Sequence, residues 1–240
     1  MDKNMLDGPI VPRRKRRQAD VVIMPIWVRL GLGEPRCDEQ GVPVYEPWET
    51  AADGVVHALG VLWTAASVGA LLDTSRSIRY CVYSACILLI FCTSALYNML
   101  GCALRISTEP LRRLDQASIF IAIGGMYTVF ALDWRVLAVV WSLCGTGAVL
   151  KATLGRRIEV AAMLAYAGLG IAPLALVRPS ARCYPTLVGC LVVIAIGAVF
   201  GYMNNGPGGT PFWHACILAA SVTYWTLVYG AAHHGPSYYL

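Results

Sequence analysis

The stretch Asp53–Leu72 reads DGVVHALGVLWTAASVGALL. It is 20 residues long and apolar apart from Asp53, His57, Thr64 and Ser67. A helix that crosses a bilayer needs about 20 mostly apolar residues, so this stretch predicts one. Asp53 and His57 stand four apart, which stacks them on one face of that helix near its start. Ionisable groups inside a span are expensive and mark a site by default.

Six further runs of the same kind follow, at about 80–101, 113–132, 134–150, 158–177, 183–203 and 211–233. The fourth is short and Pro173 interrupts the fifth. The chain is 57% hydrophobic and only 14% charged, with a mean hydropathy of +0.58. A soluble domain carries about 25% charged residues. Too little charge lies between these runs to clothe a water-soluble protein. The expected fold is therefore all-α, a seven-span membrane bundle over 51–235 with short connections and antiparallel sequential neighbours. An N-terminal basic arm occupies 1–50 and a short tail 236–240.

Lysine and arginine in the loops set the expected orientation. The arm holds eight, the loop after span 2 three (Arg105, Arg112, Arg113), and the loop after span 4 three (Lys151, Arg156, Arg157). That places fourteen on the N-terminal side against five opposite: Arg76, Arg79, Arg135, Arg178 and Arg182. The N-terminus is expected in the cytosol, or in the matrix if the membrane is mitochondrial. The organelle stays open among plasma membrane, endomembrane and mitochondrial inner membrane. No cleaved secretory signal is expected, because no charged n-region runs straight into an apolar stretch.

The run Arg13–Arg17 (RRKRR) is expected either to attract anionic lipid or only to enforce topology. Nucleic-acid binding is rejected beside seven spans. Val22–Pro35 suits an interfacial helix, or equally a short hairpin or loop. Tyr45 and Trp48 in PVYEPWE are anchors for packing on the bundle or docking a protein partner. The nine cysteines form no CxxC pair, and their number is odd, so neither a zinc motif nor a disulfide framework is expected.

Polar residues inside the spans converge. Asp53 and His57 open span 1, Asp115 opens span 3, Glu159 opens span 5 and His214 opens span 7, while Ser94 and Asn98 close span 2. Odd-numbered spans start where span 2 ends, so all of them lie at one membrane face. A shared pocket open to the cytosolic side is one reading. Separate interhelical hydrogen bonds are the other.

Four blocks in order carry a resemblance: YEPWETAADGVVHALG, CTSALYN, LRRLDQASIFIAIGGMYT and FWHACILAASVTYW. Over about 45–233 the chain resembles the hemolysin III and progestin/adipoQ receptor family, most nearly its monocyte-to-macrophage-differentiation-type members. The resemblance implies a Glu, an Asn and a His in the first block, where Glu49, Asp53 and His57 stand. It implies Ser-x-x-x-His in the second, where Ser94 and Asn98 stand. It implies an Asp opening span 3, matched by Asp115, and His-x-x-x-His opening span 7, where Thr210 and His214 stand. By the same resemblance, three histidines of spans 2 and 7 hold a zinc, the Asp orients a zinc-bound water, and the site hydrolyses a lipid amide.

Asn98 and Thr210 remove two of those three imidazoles, so His214, Asp115 and Asn98 mark family metal positions at which no resident zinc is expected. His57 is not expected to substitute, its family counterpart not being a ligand. His214 is expected to hydrogen-bond Asp115 or Asn98 instead. Asp53, His57, Ser94 and Thr210 would line a pocket for membrane lipid, with Ser94 and Asp115 catalytic only if activity survives. The favoured function is a non-hydrolytic lipid-binding or receptor-like bundle. The alternatives are an accessory subunit of a membrane complex and a zinc-dependent lipid amidohydrolase.

Overall fold

A computed structural model describes residues 46–100, 109–131, 133–176, 180–202 and 207–235. The basic arm up to 45, with its RRKRR run and the segment 22–35, lies outside the described residues, as does the tail 236–240. Every long element is a helix. We name them α1 (Pro47–Thr74), α2 (Ile78–Ala95), α3 (Glu109–Phe130), α4 (Trp134–Leu154), α5 (Glu159–Ile171), α6 (Tyr184–Gly197) and α7 (Gly209–His234). A π-turn Leu96–Leu100 prolongs α2, and another, Ala198–Tyr202, prolongs α6. A helical turn Pro173–Leu176 follows α5 where the sequence places its interrupting proline.

These helices match the seven predicted runs in order. Among the described residues, five helical stretches are long and apolar enough to cross a membrane: Pro47–Thr74, Ile78–Leu100, Trp134–Ile171, Tyr184–Gly201 and Gly209–His234. The difference from seven has two physical causes. The first is that Trp134–Ile171 contains two helices, because the chain folds back at Gly155, whose φ of 55° lies in the left-handed region. Thr153 lies by Arg113 near the start of α3 and Trp141 by Thr128 near its end, so α4 runs against α3. Gln116 meets Tyr166 while Tyr127 meets Leu169, so α5 runs alongside α3. The second cause is α3 itself, which carries Glu109, Arg112, Arg113 and Asp115 in its first two turns.

The packing is inverted relative to a water-soluble protein. The buried stripe of α1 is Glu49, Asp53, His57, Gly60, Thr64, Ser67 and Leu71, spaced by three and four residues. Its outer face shows Val55, Leu59 and Leu62, each more than half exposed. Polar groups inward and apolar side chains outward is the arrangement that lipid stabilises. Thr64 and Ser67 satisfy themselves by donating to the carbonyls of Gly60 and Thr64, at 2.7 and 2.9 Å. Asp53 and His57 depend on other helices. α7 packs on α6 and α1, α1 on α2, α2 on α3, and α3 on α4. Two apolar cores result. Leu71, Tyr83, Ile87, Phe91, Val129 and Val228 join α1, α2, α3 and α7. Phe120, Tyr127, Val140, Cys144 and Ala162 join α3, α4 and α5.

Close approach of α2 to α3 requires Gly125, where a Cβ would stand 2.6 Å from Cys86 Cβ. By contrast, a Cβ on Gly168 meets nothing within 4 Å. Gly125→Ala is therefore expected to destabilise the bundle by about 1–3 kcal/mol through overpacking. Gly168→Ala, which removes only backbone freedom, leaves it unchanged or stabilises it by up to about 1 kcal/mol. Thermal unfolding midpoints in detergent, compared side by side, check both.

Candidate functional site

The site begins with a clamp between the starts of α1 and α7. Glu46 caps α1, and Glu49 returns a hydrogen bond to the Glu46 amide at 2.8 Å through Oε2. Glu49 Oε1 accepts from the Gly208 amide at 2.6 Å. Gly208 takes φ 79°, and a Cβ there would lie 2.9 Å from the Trp48 ring, so glycine is required at this turn. The turn starts α7 beside α1 and brings His214, six residues after Gly208, over Asp53, four residues after Glu49.

Asp53 is the hub. His214 Nδ1 lies 2.6 Å from Asp53 Oδ1 and donates to it. His57 Nδ1 lies 2.8 Å from the Asp53 carbonyl oxygen and 3.5 Å from Oδ1. A carbonyl oxygen only accepts, so His57 Nδ1 carries a proton and donates. That leaves His57 Nε2 facing Ser94 Oγ at 3.2 Å. The two rings meet edge to face with centroids 4.5 Å apart. Asp53 and His57 are 1% and 4% exposed, so neither is open to bulk water.

α2 and α3 complete the site. Asn98, in the π-turn, donates through Nδ2 to Ser94 O at 3.0 Å and Ser94 Oγ at 3.3 Å. The Ser94 hydroxyl also bonds the Asp115 carboxyl, which lies within electrostatic reach of His214 and Asp53. One hydroxyl proton thus stands between His57 Nε2 and Asp115. Thr210 lies on α7 one turn before His214. Asp53, His57, Ser94, Asn98, Asp115 and His214 are thereby gathered as the sequence suggests. The pairing differs from expectation: the hydrogen bond of His214 goes to Asp53, not to Asp115 or Asn98. Asp53 wins because the clamp at Glu49 and Gly208 sets α7 in register with α1.

No family model matches the chain, and no solved structure matches it. Among curated proteins it is similar to Hemolysin-3 of Bacillus cereus, 23% identical over 193 residues that cover 72% of this chain and 87% of that protein. It is similar also to a Hemolysin-3 homolog of Bacillus subtilis (strain 168), 23% identical over 198 residues, covering 72% and 89%. The similarity to hemolysin III proteins thus runs along most of the chain. The zinc that the resemblance implies would fall on positions 98, 210 and 214. Those residues do not fit it. Asn98 has turned its amide to Ser94, Thr210 offers a hydroxyl, and only His214 brings an imidazole.

Glu159 belongs elsewhere. It accepts from Lys151 Nζ, from Arg112 Nη2 at 3.0 Å and from Gln116 Nε2 at 3.0 Å. Lys151, Arg112 and Glu159 are 0%, 3% and 5% exposed. The sequence reading assigns Arg112 and Lys151 to loops. The missed signal is the spacing of eight between Lys151 and Glu159 with Gly155 midway, which lets the chain turn and pair them. This cluster ties α3, α4 and α5 together at the end where the hub lies. Removing one partner of a buried ion pair leaves the other charge uncompensated. Glu159→Gln is expected to lower stability by about 3–5 kcal/mol. Arg156→Gln, whose partner Glu109 is a third exposed, is expected to cost no more than about 1 kcal/mol. Thermal unfolding in detergent separates the two.

Proposed function

We propose that this chain is a seven-crossing integral membrane protein that binds the polar head of a membrane lipid between α1, α2, α3 and α7, and does not hydrolyse it. The carrying observation is the buried polar cluster itself: carboxyls, amide, hydroxyl and imidazoles converge at one end of an otherwise apolar bundle. Such a set offers donors and acceptors to a headgroup, while apolar side chains such as Leu59 and Leu62 face the acyl region. The absence of imidazole at 98 and 210 argues against the amide chemistry that the resemblance implies.

Seven crossings follow in this reading from the fold-back at Gly155 and from α3, whose charges cluster in its first turns and leave the remainder apolar. The N-terminus would then lie on the cytosolic or matrix side and α7 would end opposite. Protease protection of an N-terminal tag and exposure of a C-terminal tag in sealed, right-side-out membranes tests the topology. The reverse pattern overturns it.

The lipid reading is tested by mass spectrometry of lipid that co-purifies with the full chain, together with fatty-acid release from amide-linked lipids. We expect lipid retained at about one per chain, as for a formed pocket. Asp115→Asn with Ser94→Ala is expected to reduce it severalfold, and no fatty acid is expected above a protein-free control. Release of fatty acid that these two substitutions abolish would establish the hydrolase instead.

A further inference from the structure

We propose that the headgroup bound at the hub ends in a primary ammonium group, seated on Asp53 Oδ2. The inference rests on the lipid reading and names the headgroup class for that same site. Three observations carry it. Asp53 Oδ2 is buried and has no hydrogen-bond partner among the described residues. The two imidazoles at Asp53 have committed their Nδ1 protons elsewhere, His214 to Oδ1 at 2.6 Å and His57 to the backbone oxygen at 2.8 Å. A second carboxyl, Asp115, shares the hub, and Arg112, a permanent cation within its electrostatic reach, donates to Glu159 instead.

The unpartnered oxygen names the charge. A carboxylate removed from water is costly unless each oxygen finds a compensating partner. Neither imidazole can turn to Oδ2 without giving up the bond it makes, and His57 Nε2 faces Ser94. An imidazole also carries its charge only conditionally. A water molecule would fill the hydrogen bond and leave the negative charge uncompensated. An ammonium group meets both needs.

The donor count names the kind of ammonium. A primary ammonium is a compact charge with three N–H donors. One serves Asp53 Oδ2, and Asp115 and Ser94 bring further acceptors to the same hub. A quaternary ammonium carries the same charge but no N–H, so Oδ2 would stay unbonded. A purely anionic headgroup would meet two carboxyls and be repelled. The position suits a headgroup as well. Asp53 and His214 stand in the second turns of α1 and α7, within about 10 Å of the helix starts. Ser94, Asp115 and His214 keep partial exposure while Asp53 is enclosed, so an entering ammonium would pass them to reach Oδ2.

The experiment equilibrates the full chain in detergent with an equimolar mixture of phosphatidylethanolamine, phosphatidylcholine and phosphatidylglycerol of identical acyl chains. Native mass spectrometry counts the lipid retained. Phosphatidylethanolamine is expected to be kept about tenfold over either of the others, the ratio that one charge-assisted hydrogen bond supports. Asp53→Asn is expected to lower it to the level of phosphatidylcholine, whereas Arg156→Gln, outside the hub, keeps the preference. Lipid retained without preference, or a preference that survives Asp53→Asn, overturns this inference and leaves the lipid reading standing. No retained lipid of any headgroup overturns both. Should Asp53→Asn not fold, the wild type decides with phosphatidylethanolamine bearing successive N-methyl groups. Retention is expected to collapse where the last N–H is lost, and a flat series refutes the site. Excess free ethanolamine is expected to leave the lipid in place. Displacement by it would assign the site to a small free amine and overturn the headgroup named here.

Discussion

A carboxylate inside an apolar bundle has no water into which to spread its charge, and much of this molecule follows from that. Among the described residues, the two deeply buried acids away from the Glu49 clamp are Asp53 and Glu159. Each is met by two basic groups from other positions on the chain: Asp53 by His57 and His214, Glu159 by Lys151 and Arg112. Desolvation makes an unmet charge costlier than almost any packing defect. The helices therefore sit where these charges can meet. The Asp53 set fixes α7 against α1, and the Glu159 set fixes α5 against α3 and α4. Apolar contact fills the space between, but lipid is as apolar as leucine and cannot by itself select one register over another.

The two sets differ in what they can do. Around Glu159 the cations are permanent charges, and the cluster is saturated with donors: Lys151, Arg112 and Gln116 all reach one carboxylate. That composition locks helices. Around Asp53 the partners are imidazoles, whose charge is conditional, and one carboxylate oxygen stays unbonded. Ser94 adds a hydroxyl with a single proton and two acceptors in reach. A set with spare acceptors and mobile protons can exchange partners with a ligand, and a saturated one cannot. The functional reading therefore rests on the α1–α7 hub.

The helices were legible because a span is a one-dimensional signal. Length and hydropathy alone mark the run Asp53–Leu72, and the observed α1 differs from it only at its ends. The depth of the polar residues was legible for the same reason, since it follows from counting helices. Partner choice was not. Nothing local to His214 says that Asp53, 161 positions away, outcompetes Asp115. That depends on the Glu49–Gly208 clamp, which joins residues 159 positions apart. The role of Lys151 was hidden for a different reason. A cation near a helix end reads as a loop charge, and only the turn at Gly155 carries it inward to Glu159.

That burial bears on the orientation argument. The fourteen cations on the N-terminal side include Arg112 and Lys151, which serve Glu159 and do not face a loop. The five opposite include Arg79, whose guanidinium caps the end of α3 by donating to the carbonyls of Thr128 and Ala131 at 3.0 and 2.7 Å. Setting aside these three structural charges leaves twelve against four. The bias is unchanged in sign and proportionally a little stronger. The expected orientation therefore does not depend on the charges that are not loop charges at all. Burial here removes one cation from the poorer side for two from the richer.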